Sequence, residues 1–230
     1  MSAQTLQQEI SELVAALTHE LNNPLTAIAG FSQLAAQLTD PARIQTMIQT
    51  IREESGKCQA ILKRMEDTYV THKVRPETIE IRSLLEQVGA LHKQLLVRPN
   101  IQLRIEVDPS FDTLVADPIL VKRAVDNLID NAALALDAVE PAEITVNTRC
   151  QDGYGIISIV DNGTGIPEDD LTRVFEPTFT THSAGLALGL GLPAVLFIMN
   201  AHNGQVELEN RPDGGLKVEL RFRLNTGRSV

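Results

Sequence analysis

Gly155-Ile156-Ile157-Ser158-Ile159-Val160-Asp161-Asn162-Gly163-Thr164-Gly165-Ile166-Pro167 is a short β-branched run closed by a carboxylate and two glycines. The run predicts a strand over Gly155–Val160, and the glycines and proline after it predict a turn. A carboxylate at a strand end can accept a hydrogen bond from an exocyclic amine. Gly163 and Gly165 let backbone approach a flat ligand closely. Alone, this pattern is a common turn. Its neighbours give it weight.

On its N-terminal side the spacing predicts a helix over Pro118–Leu136 carrying Asn127 and Asn131 four residues apart. Both sit at the edge of the apolar face made by Val121, Ala124, Val125, Leu128, Ala132 and Ala135. Two carboxamides on one line can offer oxygen to a hard cation and its phosphates, or they can be core-edge amides. On the C-terminal side stands Phe175-Glu176-Pro177-Thr178-Phe179-Thr180-Thr181, then Gly185-Leu-Ala-Leu-Gly189-Leu190-Gly191-Leu192 running into Pro193 and a helix over Gly191–Ala201. Glycines before a helix N-terminus make a phosphate site from backbone N–H groups. No Gly-Lys-Ser/Thr follows, so this is no Walker A loop, and the Ser/Thr/Tyr kinase motifs are absent too. The two phenylalanines could anchor a loop at a nucleotide pocket or be ordinary core. Further strands are predicted at Ile79–Ile81, Ile101–Val107, Ile144–Thr148, Gln205–Asn210 and Leu216–Leu224, with a helix over Ser83–Leu96. Strands mixed with helices predict an α/β sandwich, a sheet against helices.

Residues 1–70 read differently, as helix only. Leu6, Ile10, Leu13, Leu17, Leu21, Leu25, Ile28 and Ala35 recur at spacings of three, four and seven. Asp40-Pro41 offers an N-cap followed by Pro at the first helical position. A second stripe follows through Ile44, Met47, Ile48, Ile51, Cys58, Ile61, Leu62 and Met65. This is an antiparallel helical hairpin that cannot enclose its own wide stripes. A four-helix bundle formed by two chains solves that. With Leu17 at zero and about 100° per residue, His19 falls near 200°, on the solvent side, and Asn23 about 40° from it. An exposed imidazole beside Glu20 can act as a nucleophile, with the carboxylate holding one ring proton. Pro24 one turn later removes a backbone hydrogen bond and suggests a local bend. His72, His92 and His202 read as ordinary polar residues. Residues 71–78 read as a linker, which leaves 79–230 for the α/β domain.

The whole chain has 230 residues, a formal net charge of −10 and 43% hydrophobic residues, so wholesale disorder is excluded. The acidic balance, 3% aromatics and lack of Trp exclude a non-specific nucleic-acid binder. No apolar run approaches a membrane span, no signal peptide is legible, and Cys58 and Cys150 form no disulfide framework. A reduced, cytosolic protein is expected.

Taken in order, these motifs resemble the transmitter module of bacterial sensor histidine kinases over nearly the whole chain. His19-Glu-Leu-Asn-Asn-Pro-Leu is similar to the family's H box and Asn127-Leu-Ile-Asp-Asn131-Ala to its N box. Asp161-Asn-Gly-Thr-Gly-Ile is similar to the G1 box, Phe175–Thr181 to the F box, and Gly185–Leu192 to the G2 box. The resemblance implies a dimerisation and phosphoacceptor hairpin at 1–70 and a GHKL-type ATPase domain, like that of DNA gyrase, at 79–230. By that likeness His19 is the phosphoacceptor, Glu20 its base, and Asn23 the residue tied to dephosphorylation of a partner. Asn131 would ligate Mg²⁺ and Asn127 would lie near the phosphates of ATP. Asp161 would read the adenine amine, and Gly163, Gly165, Gly185, Gly189, Leu190 and Gly191 would shape the pocket and phosphate loop, with Phe175, Phe179 and Thr181 beside it. The implied partner is the receiver domain of a response regulator, and a homodimer is expected through the hairpin.

Mechanical ATPases that resemble this fold place Glu where Asn127 stands, as base for an attacking water. An amide cannot take a proton, so Asn127 favours transfer to a supplied nucleophile. The chain also departs from the family. Ala187 and Leu188 stand where Gly and a hydroxyl residue are usual, and His182 where Lys is frequent. These departures imply a weakened ATP lid. They motivate the alternative of a degenerate transmitter, a dimeric nucleotide-binding module with little autokinase activity.

Overall fold

A computed structural model describes residues 3–69, 74–95, 101–137, 139–176, 179–180 and 189–224, except the side chains of 3–17, 19–20, 60 and 63–69. The chain divides into two compact units, Met1–Thr71 with Glu176–Leu190, and His72–Phe175 with Gly191–Val230.

In the first unit, α1 (Ala3–Gln37) and α2 (Pro41–Tyr69) form the expected hairpin. The turn follows from Asp40. Its Oδ1 accepts from the Ala42 N–H at 3.0 Å, its carbonyl accepts from Ile44, and Pro41 supplies the first helical φ. α1 continues through Pro24, and the Thr26 hydroxyl donates back to the Asn22 carbonyl at 2.7 Å. Leu21, Ile28, Phe31 and Ala35 of α1 are half-buried, as are Ile44, Met47, Ile51 and Cys58 of α2. The stripes are only partly covered: Leu25, Leu34, Ile48 and Leu62 remain about half exposed.

In the second unit, β1 (Glu77–Glu80) pairs antiparallel with β3 (Thr113–Ala116). The main sheet has the order β2 (Ile101–Glu106), β4 (Ala142–Gln151), β5 (Tyr154–Asp161), β7 (Leu216–Arg223), β6 (Gln205–Asn210). β2 and β4 run parallel, and the other neighbours are antiparallel. Helices α3 (Ile81–Leu95), α4 (Pro118–Ala135) and α5 (Gly191–Ala201) share one core with this sheet. The alternation of side chains explains the layering. Ile144 and Val146, Ile157 and Ile159, and Val218 and Leu220 point to the helices and are buried with Val121, Val125, Ile129, Val195 and Ile198. The alternate positions carry charge. Arg149 and Lys217 pair with Glu219 at 2.8 and 2.6 Å, and Arg221 pairs with Glu207 at 2.8 Å.

Strand β3 is absent from the sequence-based expectation, because Thr113-Leu-Val-Ala is only four residues long with Asp on both sides. Ile81, expected to end a strand, opens α3. Two histidines read as ordinary are structural. His92 is buried, with Nε2 3.1 Å from Asp126 Oδ1. His202 accepts the Asp117 backbone N–H at Nε2, so its Nδ1 is the atom that donates to the Ile198 carbonyl at 2.8 Å. Asp117 in turn caps α4 through the N–H groups of Ile119 and Leu120 and receives the Arg75 N–H. These bonds fix the start of the helix that carries Asn127 and Asn131.

Candidate functional site

One face of α4 organises the site. Asn127, Asn131 and Ala135 succeed each other at intervals of four and so lie on one line. Asn131 packs on Gly191 at the start of α5. A β-carbon on Gly191 would stand 2.9 Å from Asn131 Oδ1 and 3.0 Å from Nδ2. One turn along, Ala135 packs on Gly163, where a β-carbon would meet the Ala135 carbonyl at 2.8 Å. The α4 line therefore joins the α5 N-terminus at one end to the Asp161–Gly163 turn at the other. Asn127 and Asn131 are both half-buried.

Asp161 ends β5 and is 4% exposed. Its Oδ1 accepts from the N–H groups of Gly163 at 2.8 Å and Leu216 at 3.2 Å. Among the described residues both of its side-chain bonds fall on Oδ1, which leaves Oδ2 as an acceptor. Burial pushes this carboxyl above the ordinary aspartate value, against those two bonds and the charge of Arg211. Asn162 pins the base of the turn by donating to the Pro141 carbonyl and accepting from the Glu143 N–H.

The β6–β7 turn closes under this carboxylate, which the sequence reading missed. Arg211 donates from Nη1 to the Asp161 carbonyl at 2.8 Å. Gly215, at φ +92°, lies so close that any β-carbon would collide with the Asp161 carbonyl. Asn210 holds both backbone groups of Ile166, accepting its N–H at 2.9 Å and donating to its carbonyl at 2.6 Å. Gly165, at φ +68°, packs on the same Asn210 amide. Gly163 and Gly165 are thus demanded by the protein's own packing around the turn. Asp213-Gly214-Gly215 is legible as a hairpin turn. Its contact with Asp161 has no local signal.

The remaining expected residues divide by place. His19 and Glu20 lie within α1, and their side chains are outside the described residues. Asn23 is exposed on the same helix. Phe175 is the last residue of the turn at 171–175, and the Phe179 N–H donates to the Glu176 carbonyl. Gly189, at φ +60°, and Leu190 lead into Gly191. Thr181, His182, Gly185, Ala187 and Leu188 lie outside the described residues.

The donor set fits a phosphate-bearing ligand with a hard cation. Asn131 offers an amide oxygen beside a helix N-terminus whose first residue has no side chain to fill the approach. Among the described residues no group of three or more His, Cys, Asp or Glu side chains could hold a metal by itself. The amide oxygen of Asn131 is one ligand that a hard cation could share with phosphate oxygens. No helix among the described residues is long and apolar enough to cross a membrane.

The family model of the His Kinase A (phospho-acceptor) domain matches residues 9–69. That of the Histidine kinase-, DNA gyrase B-, and HSP90-like ATPase matches residues 116–226. The chain is 29% identical over 222 residues to the sensor protein FixL of Bradyrhizobium diazoefficiens, covering 94% of this chain and 43% of FixL. It is 29% identical over 217 residues to the signal transduction histidine-protein kinase AtoS of Escherichia coli, covering 94% of this chain and 35% of AtoS. It thus spans less than half the length of these relatives. The catalytic domain of histidine kinase ThkA matches with a TM-score of 0.58 at 25% identity, over 65% of this chain and 95% of that one.

Proposed function

The chain belongs to the histidine kinase family of two-component systems, and on that premise we propose that it transfers the γ-phosphoryl group of ATP to His19 and then to an aspartate of a response-regulator receiver domain. One observation supports this reading above others. A single face of α4 connects a buried amine-reading carboxylate, through Ala135 and Gly163, to an amide and a helix N-terminus suited to phosphates, through Asn131 and Gly191.

Asp161 accepts the adenine amine at Oδ2, its orientation fixed by the two backbone donors on Oδ1. The N–H groups of the first turn of α5 bind phosphate oxygens, where the helix dipole favours negative charge. Asn131 is the residue that would hold Mg²⁺ together with phosphate oxygens, and the ion supplies neutralisation of charge on the transferred group. Asn127 lies beside the phosphates and cannot take a proton from water, so hydrolysis is not promoted. One imidazole nitrogen of His19 attacks the γ-phosphorus as the bond to the leaving ADP oxygen breaks, and Glu20 accepts the proton from the other ring nitrogen. The phosphoryl group then passes to a carboxylate oxygen of the receiver aspartate. Asn23, on the same helix face one turn later, serves dephosphorylation of that partner.

Residues 1–70 form the phosphoacceptor and dimerisation hairpin, 71–78 a linker, and 79–230 the ATPase domain. The half-exposed Leu25, Leu34, Ile48 and Leu62 support dimerisation, since a second hairpin would cover them in a four-helix bundle. The site of action is cytoplasmic.

The test is incubation with γ-labelled ATP and Mg²⁺, comparing the chain with His19→Ala. Acid-labile, base-stable label that is absent from the variant is expected. Label that persists in the variant would refute His19 as acceptor. No label despite measurable ATP binding would refute the kinase activity.

A further inference from the structure

We propose that Asn210 is a positioning residue for the nucleobase end of the site, acting through the turn that follows Asp161. The inference rests on the nucleotide site proposed above and adds to it a residue distant in sequence but adjacent to the Asp161 turn.

Asn210 is the last residue of β6, and its side chain is exposed. Its amide makes two bonds to one residue, Ile166, accepting the N–H at 2.9 Å and donating to the carbonyl at 2.6 Å. That is how a neighbouring strand would hold an edge, here done by one side chain. The same amide lies on Gly165, whose φ of +68° needs glycine. Gly165 is two residues from Gly163, whose N–H fixes Asp161 Oδ1. Arg211, the next residue after the clamp, ties the Asp161 carbonyl to the same turn. The clamp therefore closes a ring: β5 to Asp161, through the glycine turn to Ile166, across Asn210 to β6, and back through Arg211 to Asp161.

Both backbone groups of Ile166 can reach water if the clamp is lost, so its removal costs little fold stability. What it removes is the order of the turn. Without it the Gly163 N–H no longer holds one orientation of the Asp161 carboxylate, and ligand binding must supply that order. The cost falls on binding of the base and not on transfer of the phosphoryl group.

The experiment uses the whole chain, with Asn210→Ala and the isosteric Asn210→Asp, which keeps an acceptor for the Ile166 N–H but loses the donor. ATP and adenosine affinities, KM for ATP and kcat of autophosphorylation are measured, with thermal melting of each protein. Both variants should melt near the unaltered chain. Both should bind ATP and adenosine about five- to tenfold more weakly, with KM raised and kcat unchanged. Affinities within twofold of the unaltered chain would overturn the role of Asn210, as would a fall in kcat at constant KM or a loss confined to ATP. Failure of the unaltered chain to bind ATP would overturn the nucleotide site itself and this inference with it.

Discussion

The side-chain amide of Asn131 rests on the bare α-carbon of Gly191, with room for no further atom between them. Two residues far apart in sequence thereby set the distance between α4, which offers oxygen ligands, and the α5 N-terminus, which offers N–H donors. Phosphoryl transfer depends largely on such positioning and on neutralisation of the charge on the transferred group, whichever nucleophile attacks. Glycine at 191 is a geometric requirement of that pairing.

Gly191→Ala should therefore act through Asn131. The new methyl meets the far end of a flexible side chain, which can swing aside, so the domain should stay folded and melt within a few degrees of the parent. Autophosphorylation at limiting ATP should fall about ten- to a hundredfold, as expected for ångström-scale misplacement. In an Asn131→Ala background the same substitution should cost little more, because the contact is already gone. Additive losses in the double variant would show that Gly191 acts independently.

Asp161→Asn separates binding from stability. The variant keeps an oxygen for the Gly163 and Leu216 N–H groups but sets an amine at the position that, in the proposed site, accepts the adenine amine. ATP affinity should drop at least tenfold. The sign for stability is opposite. Burial raises the Asp161 pKa, so at neutral pH the ionised carboxylate is less favourable folded than unfolded. A neutral isostere should leave the melting temperature unchanged or raise it. A variant that melts well below the parent while binding ATP normally would remove Asp161 from the ligand site.

How legible the site is in sequence depends on the range over which each residue acts. Asp40-Pro41 specified a helix start locally, and the structure has it there. Asn127 and Asn131 were legible because helical periodicity alone puts them on one line. Asn210, Arg211 and Gly215 were not, because their roles arise only when β6 and β7 are laid beside β5. His92 and His202 gave no signal for the same reason: their partners Asp126 and Asp117 come from α4 and its cap. Strand β3 failed for lack of length, since its apolar face has only Leu114 and Ala116 to show.

Acid should abolish nucleotide binding before it unfolds the ATPase domain. Three buried or half-buried carboxylates decide this. Burial pushes Glu219 upward, but hydrogen bonds from Lys217 and Arg149 outweigh it and hold the carboxyl below the ordinary value of about 4.5. Burial likewise raises Asp126, and the bonds from His92 and Lys122 prevail, so it too is held low. For both, the stabilisation is complete above the unfolded pKa and is lost only as pH falls through the lower folded one. Asp161 is shifted the other way, above the ordinary aspartate value, so it protonates ahead of Asp126 on acidification and loses its role as a pure acceptor. ADP affinity relative to the Asp161→Asn variant, and the urea midpoint of the unaltered chain, should be followed from pH 7 to 3.5. The affinity ratio should shrink toward one at a higher pH than that at which the midpoint collapses. Glu219→Gln should flatten the acid limb of the stability curve without moving the binding curve. Coincident loss of binding and fold would mean that Asp161 titrates with the structural carboxylates and that its burial does not set the pH range of nucleotide recognition.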